Sequence, residues 1–167
     1  MTTADINVRT VTLAEAETRI VKAFQKMRPV FLWGAPGVGK SELAQQIADK
    51  KYLGNTLLVD LRVALFEPTD IRGMPFFNGK TGLMEWAPPI DLPSEELATK
   101  YDTVILFLDE MNAAPPAVQA ACYQLVLNRR VGTYKLPDNV VILAAGNRET
   151  DKGVTYRTVS YTHLRAH

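Results

Sequence analysis

A chain of 167 residues with 47% hydrophobic and 22% charged residues has the size of one domain and the composition of an ordered globular protein, which excludes fibrous and disordered classes. Its 19 Lys and Arg stand against 18 Asp and Glu, a net charge of +1, so no global field draws it to nucleic acid or to an anionic membrane. The single cysteine, Cys122, excludes an internal disulfide, no apolar run approaches a membrane span, and Met1 to Asn7 lacks the layout of a signal peptide; the expected location is cytoplasmic.

Between Thr12 and Met27, Leu13, Ala16, Ile20, Val21 and Phe24 recur at helical spacing, with Thr12 and Glu15 placed to form a capping box. The apolar run Val30 to Trp33 is too short for a helix and ends at Gly34, which predicts a buried parallel strand. Lys40 to Lys50 returns to the helical pattern, and Thr56 to Asp60 predicts the second strand of a βαβ unit. Residues 62–93 are rich in proline and glycine and read as an insertion, with a hairpin turning near Phe76-Phe77-Asn78-Gly79-Lys80. A short helix capped by Ser94 precedes the most hydrophobic strand, Thr103 to Leu108, and Pro115-Pro116 opens a helix that runs to about Asn128. A hairpin over residues 130–136 then leads to the strand Val140 to Ala145. Strands alternating with helices predict an α/β fold: three αβα layers around a mostly parallel sheet.

The segment Gly34-Ala35-Pro36-Gly37-Val38-Gly39-Lys40-Ser41 matches every fixed position of Walker A, GxxxxGK followed by Ser or Thr, between a predicted strand and a predicted helix. Its glycines let backbone N–H groups close on phosphate oxygens, and the helix that follows presents its positive end to them. Lys40 can reach the β- and γ-phosphates and the Ser41 hydroxyl can ligate Mg²⁺, so ATP and Mg²⁺ are the expected ligands. Asp109 ends a buried strand where Walker B chemistry needs a carboxylate for the metal, and Glu110 directly after it can orient and deprotonate the attacking water. An acidic pair in that place could also begin a solvated loop; Walker A favours catalysis. Asn147 ends the next apolar strand, where its side chain could touch both the γ-phosphate and the water, or could merely tolerate a left-handed turn after Gly146.

Walker A GAPGVGKS, the strand VILFLDE with Met111-Asn112-Ala113-Ala114-Pro115-Pro116 after it, and VVILAAGN together resemble the AAA+ ATPases of the MoxR-like and dynein-related branch, over roughly residues 10–157. The resemblance implies a P-loop NTPase core, Mg-dependent ATP hydrolysis, sensor 1 at Asn147, and self-association into a ring, commonly a hexamer. It also implies a protein client to be remodelled or activated, such as one with a von Willebrand factor A domain; no membrane partner is expected, and the near-neutral charge weighs against a nucleic-acid partner. A switch module that binds ATP without turnover and a nucleic-acid motor are the competing readings. Asp70 to Pro75, the hairpin after it and Trp86-Ala87-Pro88-Pro89 resemble the branch's insertion, part of a central, partner-facing surface in relatives.

The core is expected to end at Arg157. In the branch the chain would continue into an arginine finger and a helical lid with sensor 2; here residues 158–167 depart from the pattern and read as a disordered, non-native tail, so weak hydrolysis at best is expected of this chain. His163 and His167 within it read as exposed, not as a metal pair. Arg129-Arg130 reads as a basic pair complementing a helix C-terminus. Phe76, Phe77 and Trp86 could grip a substrate or pack the insertion down, and Trp86 is read as packing.

Overall fold

The computed structural model describes residues 10–147 and the backbone of Val154–Thr158. A short strand β1 (Thr10–Val11) leads into helix α1 (Leu13–Gln25), then β2 (Val30–Trp33), α2 (Lys40–Asp49) and β3 (Thr56–Arg62). A 3-10 turn (Val63–Leu65) and α3 (Pro68–Arg72) precede the hairpin of β4 (Met74–Asn78) and β5 (Leu83–Ala87). Then come α4 (Glu95–Ala98), β6 (Thr103–Asp109), a second 3-10 turn (Met111–Ala113) and α5 (Pro116–Asn128). The hairpin of β7 (Arg130–Val131) and β8 (Tyr134–Lys135), β9 (Val140–Gly146) and β10 (Val154–Thr158) complete the chain. The His163 and His167 reading, and the tail apart from the Thr158 backbone, lie outside the described residues.

The main sheet runs β1-β10-β2-β9-β6-β3. Its four central-to-edge strands β2, β9, β6 and β3 are parallel, and β10 and β1 add antiparallel pairs beside β2. Two layers of helix cover it. Alternate residues of one strand enter different cores: Val104, Leu106 and Leu108 join α4 and α5 on one face, while Ile105 and Phe107 join α1 and α2 on the other. β9 divides in the same way, which is the period of two that a strand imposes. The predicted three-layer α/β fold is therefore the observed one.

β2 and β3 flank α2 but are not adjacent, because β9 and β6 lie between them. Every residue of β9, and all of β6 but Thr103, is buried, so the two most apolar strands take the centre and leave β3 at the edge.

Local chemistry explains the element ends. Thr12 and Glu15 form the expected capping box: the Thr12 hydroxyl accepts from the Glu15 N–H at 3.2 Å, and the Thr12 N–H donates to the Glu15 carboxylate at 3.0 Å. Ser94 caps α4 by accepting from the Leu97 N–H. Arg129 sits in the left-handed region at the end of α5, and its guanidinium donates to the carbonyls of Pro137 and Val140. That ties the β7–β8 hairpin back to the sheet, a structural role that leaves Arg129 away from the site.

The hairpin β4–β5 corrects the packing reading of Trp86. Among the described residues its two strands pair only with each other, and Phe76, Phe77 and Trp86 are 44%, 65% and 43% exposed. Nothing in the core receives them. Among the described residues no helix is long and apolar enough to cross a membrane.

Candidate nucleotide site

All four parallel strands end at the same edge of the sheet, and the predicted functional residues lie at or just beyond those ends. β2 runs into the loop 34–39, and α2 begins at Lys40. Gly37 and Gly39 have φ of 78° and 90°, where a side chain would strain the backbone and glycine does not. Gly39 is also the residue before the first turn of α2 and offers no side-chain cap. The N–H groups of that turn form the positive end of α2, the arrangement that receives phosphate oxygens. The Gly34 N–H donates to the Gly146 carbonyl at 3.2 Å, fastening the start of the loop to the end of β9.

Lys40 is only 7% exposed. Its ammonium donates to the carbonyls of Gly34 at 2.9 Å and Ala35 at 3.0 Å and to the side-chain oxygen of Asn147. Across from it the Ser41 hydroxyl donates to one oxygen of Asp109 at 3.4 Å, and the other oxygen accepts from the Glu110 N–H at 2.8 Å. Glu110 adopts the left-handed conformation, φ 54°. This turn ends β6 and separates the directions of two consecutive carboxylates. A cavity of about 300 Å³ is lined by Gly37, Lys40, Ser41, Asp109, Glu110 and Asn147, among others.

The sequence pattern of the Sigma-54 interaction domain matches residues 6–164. The chain belongs to this family. It is thus an AAA+ ATPase-type domain that binds nucleotide, as the motif resemblance implied. The AAA+ domain is also 33% identical to midasin of Giardia intestinalis over 141 residues, 77% of this chain but 3% of that protein. A candidate ATPase of Cytophaga hutchinsonii has the same fold with a TM-score of 0.52 and 21% identity, over 90% of this chain and 42% of its own. NtrX of Brucella abortus in complex with ATP superposes with a TM-score of 0.51 and 19% identity, over 85% of this chain and 30% of its own. The chain spans well under half the length of each of these relatives.

The AAA+ domain's cavity also holds a residue that motif reading passed over. Arg62 ends β3 opposite Asp109 in the parallel register, with its guanidinium 4.0 Å from the Glu110 carboxylate. The signal was faint: the run Thr56 to Asp60 had to be extended by two residues for its end to reach the site. Burial, then the charge of Asp109, raises the Asp60 carboxyl above its ordinary range, while Arg62 opposes the shift.

The residues fit ATP and Mg²⁺. Around Gly37, beyond the residue itself and its chain neighbours, no atom lies within 4 Å of where a Cβ would stand, so the loop is open there. Ser41 and Asp109 supply oxygen donors of the kind Mg²⁺ takes.

Proposed function

We propose that this AAA+ domain hydrolyses ATP with Mg²⁺ and that its parent uses the cycle, within a ring, to remodel or activate a partner protein. The observation that carries the reading is the convergence of Lys40, Ser41, Asp109, Glu110 and Asn147 on one cavity from the start of α2 and from the ends of β6 and β9. The 34–41 loop and Lys40 would bind the β- and γ-phosphates, with Ser41 and Asp109 holding the metal. Mg²⁺ would supply neutralisation of the charge on the phosphates. Glu110 would take the proton of the attacking water, and Asn147 would orient that water against the γ-phosphate.

The exposed apolar side chains of the β4–β5 hairpin support a partner-facing role for the insertion, since contiguous exposed apolar surface marks interaction sites. The expected partner is a protein, a von Willebrand factor A domain being one such kind. The ring and the client rest on the family resemblance and on this surface.

Phosphate release and nucleotide affinity measured side by side test the reading. Glu110→Gln is expected to keep ATP affinity within about threefold while lowering turnover by about 10² or more, the usual range for a general base. Tight ATP binding with no phosphate release by the unaltered chain would reduce ATP to a switching ligand, and equal release above background by both chains would remove Glu110 from the role of base.

A further inference from the structure

We propose that Asn112 is a positioning residue: its carboxamide clamps the backbone of Asn147 and so sets where the Asn147 side chain stands over Lys40. The proposal rests on the reading of this cavity as an ATP site.

The clamp has two bonds in opposite senses. The Asn147 N–H donates to the Asn112 side-chain oxygen at 3.0 Å, and the Asn112 side-chain NH₂ donates to the Asn147 carbonyl. Only one orientation of the amide satisfies both, so neither Asp nor Leu can reproduce it.

The need for a clamp follows from the strand ends. The ladder between β6 and β9 ends with Leu108 opposite Ala144, because β6 turns away at Glu110 through its left-handed conformation. Asn147 is the first residue beyond β9, and the Asn112 amide supplies the donor and acceptor that a continuing neighbour strand would have offered. The Asn147 backbone is thereby held as if the sheet ran one residue further.

Asn112 is itself held in place from the core. Met111 beside it is 1% exposed, and the Gln119 side-chain NH₂ donates to the carbonyls of Asn112 at 3.0 Å and Ala114 at 2.9 Å. Gly146 leaves room for the approach: a Cβ there would stand 3.0 Å from the Asn112 oxygen and 2.6 Å from the Trp33 ring. The sequence therefore places a glycine where any side chain would push the clamp off. A contiguous set of contacts runs from α5 through the 3-10 turn to Asn147, and from Asn147 to the Lys40 ammonium.

The test uses Asn112→Ala, Asn112→Asp, Asn147→Ala and the Asn112→Ala/Asn147→Ala double variant of the full chain. Asn112→Asp keeps an acceptor for the N–H and sets a carboxylate against the carbonyl. Three quantities are read: exchange of the Asn147 amide proton, the ratio of ATP to ADP affinity with Mg²⁺, and kcat with KM.

Asn112→Ala is expected to speed Asn147 amide exchange, to lower the ATP:ADP affinity ratio as Asn147→Ala does, and to lower kcat by about tenfold with little change in KM. The double variant should be no worse than Asn147→Ala alone, because Asn112 acts through that side chain. Unchanged ATP:ADP preference in Asn112→Ala, losses that multiply in the double variant, or loss of ATP affinity in step with the melting temperature would overturn the proposal. If the unaltered chain binds neither nucleotide, the ATP reading fails by itself, and the exchange experiment then decides whether the clamp exists.

Discussion

β6 and the β4–β5 hairpin carry similar densities of large apolar side chains, yet β6 disappears into the molecule while the hairpin projects them to solvent. Val104 to Leu108 are each 0% exposed, whereas Met74, Phe77, Leu83 and Met84 are 60% to 65% exposed. The difference lies in pairing and cover. β6 has a parallel neighbour on either side and a helix layer on either face; the hairpin has only itself. A lone two-stranded ribbon is marginal in water, and this one is held by its ends. At its base Gly73, with φ 81°, brings the chain against Ala87 so closely that a Cβ would lie 2.0 Å from the Ala87 carbonyl oxygen. Beyond it the Glu85 carboxylate accepts from the side chains of Asn78 and Thr81.

The contrast can be broken at several points. Cys122 lies in the α5 face of the core, and burial pushes its thiol up to about 12. At pH 8 it should stay protonated and closed to a maleimide, reacting at least about 10³-fold more slowly than in denaturant; rapid native labelling would mean that this face is open. Leu106→Ala in β6 should cost about 2 to 5 kcal/mol in denaturant unfolding, the range for deleting a buried leucine side chain. Gly73→Ala combines a left-handed backbone with a clash, and should cost about 1 to 3 kcal/mol, accompanied by faster amide exchange in β4 and β5 but not in β6. Phe77→Ser should leave stability within about 0.5 kcal/mol. A larger loss there would place Phe77 in a packed environment and undo the comparison.

The parts of the molecule that a sequence discloses are those whose chemistry is local. The 34–41 loop was legible because phosphate binding demands glycines and a lysine at fixed spacing before a helix, and Asp109-Glu110 because that loop tips the reading of two acids at a strand end from a solvated turn toward a catalytic pair. Lys40 and Asn147 are brought into contact. Arg62 and Asn112 were not legible: the first depends on parallel register with β6 and the second on a 3-10 turn aiming an amide at a strand end, and neither leaves a periodic trace. β1 and β10 escaped notice because such pairing is decided by what lies beside β2, not by their own composition. Trp86 was misplaced for the reason the hairpin teaches, that aromatic character reports burial only where something is present to cover it.

The strand order has a kinetic consequence. Val30 of β2 pairs with Leu143 of β9, so the loop closure that brings them together spans most of the described chain. Contacts of such long sequence separation form late and slowly. The nucleotide cavity is therefore among the last features to appear during folding, since neither half of the chain contains it. Once formed, any ligand that selects it favours the completed topology over every partly threaded one.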